Sequence, residues 1–237
     1  MEHDAPGPSM GTRLDQTWVV IPAFREAQVI RQVVMDSRKV FRNIVVIDDG
    51  SPDETAIRAA EGGAAVIRHP INLGQGAALQ TGITFALQRG AQFIATFDAD
   101  GQHRIEDVAA MVEALKPGEL DVVLGSRFKG STVGMSAGRR LLLRTAVLFT
   151  RLTTGLALTD THNGLRALTR EAARAIRLRQ NRMAHASEFL AQIASHRLKY
   201  AEMGNTVLYT EYSMAKGQRA SNAINIVLDL LAERLHK

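Results

Sequence analysis

Apolar residues along this chain fall into short continuous runs, separated by stretches in which they recur every three to four positions. The runs at 17–21 (TWVVI), 43–47 (NIVVI), 65–67, 93–97 (FIATF) and 121–124 read as strands. Between them, 26–40, a stretch from about Pro52, 76–88 and 105–115 have helical spacing, the first through Ile30, Val33 and Val34. Strands that are apolar throughout are covered on both faces, and strand–helix alternation joins neighbouring strands in parallel. The pattern therefore predicts an α/β fold, a three-layer α/β/α arrangement around a mostly parallel central sheet. Past residue 125 it is less regular: 139–152, 184–196 and 220–236 read as helical, and 199–212 as extended. The connection 127–138 (RFKGSTVGMSAG) reads as a mobile loop. Residues 1–16, with their Pro, Gly and Asp, read as a flexible tail, and no linker divides 17–237, which is taken as a single domain.

Composition narrows the chemistry. The chain has no cysteine, which removes disulfides and thiolate metal sites. Its net charge of +5 is carried mostly by arginines, whose planar forks suit phosphate groups. Nucleic acid is excluded as a partner, because no helix-turn-helix, zinc-finger or RNP-type signature accompanies that charge and aromatics are only 5%. No apolar run reaches the roughly 18 residues of a membrane span, and the first 16 residues lack the order of a signal peptide. A cytoplasmic protein is expected, with contact at the inner face of a membrane left open.

In open parallel sheets, ligands bind beyond the carboxyl ends of the strands. The polar clusters just after each strand are therefore the candidate site: 22–26, 48–53, 69–76, 98–102 and 125–127. The sharpest is Asp98-Ala99-Asp100, two carboxylates at one strand end. Mg²⁺ and Mn²⁺ take oxygen ligands, Mg²⁺ typically one or two carboxylates plus phosphate and water, and such an ion neutralises a departing diphosphate. The same two residues also suit a solvated turn. Asp48-Asp49-Gly50-Ser51 offers carboxylates to a nucleobase or ribose, or Ser51 and Asp53 to cap the next helix. Asn72-Leu73-Gly74-Gln75-Gly76 brings backbone amides to a helix start, either around a phosphate or as a tight turn.

Taken together, VVIPAFREA (19–27), VVIDDGSPDET (45–55), HPINLGQGAALQTGI (69–83), DADGQH (98–103), VVLGSRF (122–128), DTHNGLRAL (160–168) and YTEYSMAKGQ (209–218) resemble family 2 glycosyltransferases, in particular the dolichol- and polyprenyl-phosphate sugar synthase branch. The resemblance covers nearly the whole chain after residue 17, in family order. It implies a GT-A fold, a nucleotide-diphosphate sugar donor, Mg²⁺ or Mn²⁺ as cofactor, and direct displacement with inversion. Pro22, Ala23, Glu26 and Asp48 or Asp49 would surround the nucleoside. Asp98, Ala99, Asp100 and Gln102 would hold the metal and diphosphate. Arg127 would reach the donor or acceptor phosphates, and Lys216 and Arg219, on a closing loop, would cover the diphosphate.

The acceptor decides whether a base is needed. A sugar hydroxyl needs one, whereas a lipid phosphate is already an anion and needs cations. Asp160 is the candidate for base or sugar positioning, with His162 nearby, and Glu188 either pairs with an arginine or faces the acceptor. Arg139 matches an arginine that the branch uses on its lipid phosphate, but Leu143 stands where the branch tends to have serine. Branch members often continue into transmembrane helices; this chain has one amphipathic stretch up to Lys237 instead. Docking to a membrane would then come from the protein surface, with Ile224, Ile226 or Val227, Leu230 and Leu231 as candidates unless they pack as a last core helix, or from a separate small membrane subunit. A nucleotidyltransferase is disfavoured by PAFREA in place of a glycine-rich phosphate loop, and a Rossmann dehydrogenase by the lack of GxGxxG after the first strand. A polyprenyl phosphate is therefore the expected acceptor; the alternatives are a sugar hydroxyl in cell-surface polysaccharide synthesis, with Asp160 as base, and a non-catalytic nucleotide-binding scaffold.

Overall fold

The computed structural model describes residues 10–116, 118–133, 155–161, 163–180 and 184–208, with isolated positions between 138 and 154. In chain order the elements are α1 (Met10–Asp15), β1 (Thr17–Ala23), α2 (Ile30–Arg38), β2 (Asn43–Asp48), α3 (Thr55–Glu61), β3 (Ala65–Arg68) and α4 (Gln75–Gln88). They continue as β4 (Phe93–Thr96), α5 (Ile105–Ala114), β5 (Val122–Val133), β6 (Arg166–Thr169), α6 (Arg170–Ala175), α7 (Ala184–Ser195) and β7 (Tyr200–Leu208).

One seven-stranded sheet has the order β3-β2-β1-β4-β6-β5-β7. Only β6 runs antiparallel to its neighbours. The apolar runs explain the layers, since successive side chains along a strand face opposite sides. Val19, Ile21, Ile44 and Val46 pack with α2, α5 and Phe41 on one face. Val20, Val45 and Ile47 pack with α4, α6 and α7 on the other. Each such buried side chain contributes about 1.5–3 kcal/mol. The three-layer α/β/α arrangement is therefore as the sequence predicts.

The differences have local causes. Residues 127–133, expected in a mobile loop, are strand: β5 runs to Val133 and pairs with β7 on both sides of a register shift between Ser126 and Ser131. Gly130 makes this possible, because any Cβ there would strike the Asn205 backbone. The helix expected from residue 26 begins only at Ile30, after a turn over 27–29 in which Val29 N and Ile30 N both donate to the Glu26 carbonyl. Met10–Asp15, expected in the tail, form α1, and Arg13 Nη1 donates to the Glu113 and Leu115 carbonyls at the end of α5. Neither β6 nor α6 was signalled by periodicity. The helix expected at 220–236 and the strand residues 209–212 lie outside the described residues.

Direction positions the site. Six strands bring their carboxyl ends to one edge of the sheet. Because β6 is reversed, the residues that precede it, 163–165, reach that same edge. Among the described residues no helix is long and apolar enough to cross a membrane.

Candidate active site

Beyond the ends of β1, β2 and β4 lies an open cleft of about 540 Å³. Its lining includes Pro22, Ala23, Phe24, Glu26, Asp49, Asn72, Gly74, Gln75, Asp98, Ala99 and Asp100. Loop-to-loop bonds shape it. Arg25 N donates to Ser51 Oγ (2.9 Å) and Glu26 N to Thr55 Oγ1 (2.8 Å), which ties the turn after β1 to the loop after β2. Asp49 fixes the third wall. Its carboxylate accepts from Leu73 N (2.9 Å) and Gly74 N (2.7 Å), and lies 2.7 Å from His69 Nδ1. Asp49 thus lines the cleft and also clamps the loop that starts α4. Asp48 does not line it. It is fully buried, accepting from Ser51 N and pairing with Arg68 Nε at 3.2 Å.

Asp98 and Asp100 stand side by side on the turn after β4. Asp98 Oδ2 lies 3.4 Å from His103 Nε2, and Asp100 Oδ1 accepts from Gln102 N at 3.0 Å. Their acidities move apart. Burial pushes the Asp100 carboxyl up to about 6, and the Asp98 charge adds to this. At Asp98 burial also works upward, but the His103 hydrogen bond and the charges of His103, Arg166 and His185 outweigh it and lower the value. Arg166 is a buried cation 4.3 Å over the Phe189 ring; burial lowers its pKa to about 10, against the opposing pull of Asp98.

Glu26, Asp49, Asp98 and Asp100 are all carboxylates, and no described lining residue is Lys or Arg. A diphosphate could enter such a cleft only with its charge, and that of the carboxylates, neutralised. The donor set fits a small hard cation held by Asp98 and Asp100. Among the described residues no third His, Asp or Glu joins them as a cluster, so phosphate and water would complete the shell.

Asp160, the candidate for base or sugar positioning, is buried against Arg127. Its side chain is fully buried, and Oδ2 accepts from Arg127 Nε (2.6 Å) and Arg127 N (3.1 Å). A carboxylate with no exposed surface, gripped by a guanidinium, is badly placed to take a proton from an acceptor. In this geometry it pairs with Arg127, itself 7% exposed. Asp160→Ala is expected to cost about 3–5 kcal/mol in urea unfolding, since it removes the counter-charge of a buried guanidinium; a cost below about 1 kcal/mol would show that the pair is not a fixed unit. Glu188 accepts from Arg179 N and Gln180 N. Gln102 lies beside the cleft rather than in its lining, and Arg139, His162, Lys216 and Arg219 lie outside the described residues.

Two residues were missed by sequence reasoning. Glu202 on β7 accepts from Thr159 N (2.8 Å) and Asp160 N (3.1 Å), holding the turn that presents Asp160. Asn205, also on β7, bonds to Asn163 and His103. Their only signal was polar residues inside an extended run.

The model of glycosyl transferase family 2 matches residues 18–177. A UDP-N-acetylglucosamine–dolichyl-phosphate N-acetylglucosaminyltransferase of Methanococcus voltae is 30% identical over 93% of this chain and 96% of its own. A polyprenol monophosphomannose synthase of Mycolicibacterium smegmatis is 34% identical over 69% of this chain and 65% of its own. The crystal structure of glucosyl-3-phosphoglycerate synthase from Mycobacterium tuberculosis with Mn²⁺, UDP and glucosyl-3-phosphoglycerate has a TM-score of 0.72 at 21% identity, covering 98% of this chain and 86% of that one, which shows a shared fold. With the carboxylate cleft in place at the strand ends and the family match running from β1 through α6, this chain belongs to glycosyl transferase family 2.

Proposed function

We propose that this chain transfers a hexose from a nucleotide-diphosphate sugar to a polyprenyl phosphate, with inversion at the anomeric carbon and with Mg²⁺ or Mn²⁺ held by Asp98 and Asp100. The observation that carries the choice of acceptor is the commitment of Asp160 to Arg127. The carboxylate that the sequence offered as a base for a hydroxyl acceptor is spoken for, whereas a phosphate monoester arrives as an anion and needs none. Two relatives with different named sugars are both named for polyprenyl-type phosphates, which supports the same choice.

In this reading Pro22, Ala23, Glu26 and Asp49 hold the nucleoside. The bound cation supplies Lewis-acid neutralisation of the diphosphate. Arg127, oriented by Asp160, faces the acceptor or donor phosphate. An acceptor phosphate oxygen forms the new bond to the anomeric carbon as the bond to the diphosphate oxygen breaks, and the nucleoside diphosphate leaves with the electron pair. Lys216, Arg219 and Arg139 are the further cations assigned to the two phosphate groups. The reaction takes place at the inner face of a membrane, reached through the protein surface or a small membrane subunit.

A donor screen by calorimetry tests this directly. One UDP-, GDP- or dTDP-sugar is expected to bind at micromolar concentration with Mn²⁺ or Mg²⁺ and to lose that binding in chelator. That donor should then glycosylate polyprenyl phosphate in vesicles. Transfer to a sugar hydroxyl but not to the lipid phosphate would replace the acceptor; binding of no donor by folded protein would sink the enzyme reading.

A further inference from the structure

Asn205 is 1% exposed on β7, and a buried amide must place both its oxygen and its NH₂. One backbone group sets the direction of its bonds. Leu165 N can only donate, and it donates to Asn163 Oδ1 at 3.0 Å. Asn163 therefore presents its Nδ2, which donates to Asn205 Oδ1 at 2.8 Å. Asn205 Nδ2 is left facing His103 Nδ1 at 3.2 Å. An amide NH₂ cannot accept, so Nδ1 offers its lone pair and the ring hydrogen sits on Nε2, the atom that meets Asp98 Oδ2 at 3.4 Å.

We infer that Asn205 is a positioning residue for the cation site: it fixes the ring of His103 so that Nε2–H donates to Asp98 and holds that carboxylate in place. The inference rests on the reading of Asp98 as a cation ligand. The surrounding structure is built to keep the two residues together. His103 forms a β-bridge with Val207, Leu208 N donates to Gln102 O (2.9 Å), and Thr206 N donates to Asp107 Oδ2 (2.8 Å). Across the strand, Gly130 lets β5 lie directly on the Asn205 backbone. A partner that orients a ligand in this way typically costs about 10–100-fold in metal affinity when it is lost.

The test begins with the resting protein. Long-range proton–nitrogen NMR on histidine-labelled protein, assigned with His103→Gln, is expected to find hydrogen on Nε2 and none on Nδ1 of His103; hydrogen on Nδ1 would overturn the inference. Two variants then separate bonding from shape. Asn205→Leu keeps the branched layout and number of side-chain heavy atoms and makes neither bond, and Asn205→Asp has the same shape with no hydrogen to donate. Titrated with Mn²⁺ alone by electron paramagnetic resonance, both are expected to bind about tenfold or more weakly than wild type, in protein with an unchanged near-ultraviolet spectrum. An extra negative charge would by itself strengthen cation binding, so weakening in Asn205→Asp reports lost orientation. Affinity within about twofold of wild type in both variants would overturn the inference and leave sugar transfer untouched. Wild type that binds no Mn²⁺ would overturn it as well. Wild type that binds Mn²⁺ but transfers no sugar would sink the transfer reading alone.

Discussion

An Asp100→Asn protein is expected to lose sugar transfer by about 10²–10³-fold and yet to melt higher than wild type when no divalent cation is present. Both effects come from one arrangement. Asp100 sits beside Asp98 in a cleft that also contains Glu26 and Asp49, and its carboxyl is held up at about 6, first by burial and then by the Asp98 charge. A group whose pKa rises from 3.8 to about 6 on folding stabilises the fold below 3.8 and loses that contribution as pH rises through 6. At neutral pH the metal-free protein therefore carries a penalty of at most about 3 kcal/mol, which asparagine removes. Asp98 has the opposite sign: its lowered value favours folding above 3.8 and loses that contribution as pH falls. Cation binding needs both carboxylates ionised, so Mn²⁺ affinity should climb across the interval around pH 6 and level off above it. Single-turnover transfer and melting in chelator check the two halves separately. Turnover within about tenfold of wild type would remove Asp100 from the chemistry, and a lower melting temperature would mean that the two carboxylates do not repel.

The second large effect is expected from a single methyl group. Gly164→Ala should weaken Mn²⁺ binding and lower transfer by about 10–100-fold, at a stability cost of about 1–3 kcal/mol. A Cβ built on Gly164 falls on the Asp98 carboxylate. The loop has no room to retreat. Thr96 Oγ1 donates to the Gly164 carbonyl at 2.6 Å, Leu165 is fully buried, and Asn163 is bonded to Asn205. Asp98 is the group that has to turn, and turning breaks its contact with His103. Mn²⁺ titration of Gly164→Ala with a spectroscopic check of folding measures this. Unchanged affinity would mean that Asp98 binds no cation from its present position.

The first half of the fold was legible because its information is local. Each apolar run ends in a polar turn at the carboxyl end of a parallel strand, and those turns alone bring Pro22, Ala23, Glu26, Asp49, Asp98, Ala99 and Asp100 around the cleft. The job of Asp49 was less visible, since its bonds to the loop at 73–74 depend on how β2 and β3 align. The second half was read poorly for the same reason. Residues 127–133 look like a loop until β7 pairs with them, and the four residues of β6 are too few to show a period. Asp160 looked like a free carboxylate because its partner Arg127 lies 33 positions away. Glu202 and Asn205 act on groups 42 and 102 positions distant, where no spacing rule reaches.

The order of the sheet also bears on how such proteins diversify. Residues 17–96 build β3-β2-β1-β4 and residues 122–208 build β6-β5-β7, and the two blocks are joined along the β4–β6 ladder by four residue pairs. On the transfer reading, the first block grips the nucleotide and the second carries Arg127 and Asp160. The two are consecutive in the sequence, so one recombination breakpoint near residue 121 would exchange the second block while leaving the carboxylates of the cleft in place. Such an exchange has to conserve the glycine beneath Asp98 and the asparagine that faces His103, and with them the contacts of α6 and α7 against α4, among them Leu178 N donating to Gln80 Oε1 and Arg170 Nη1 donating to the Ala91 carbonyl.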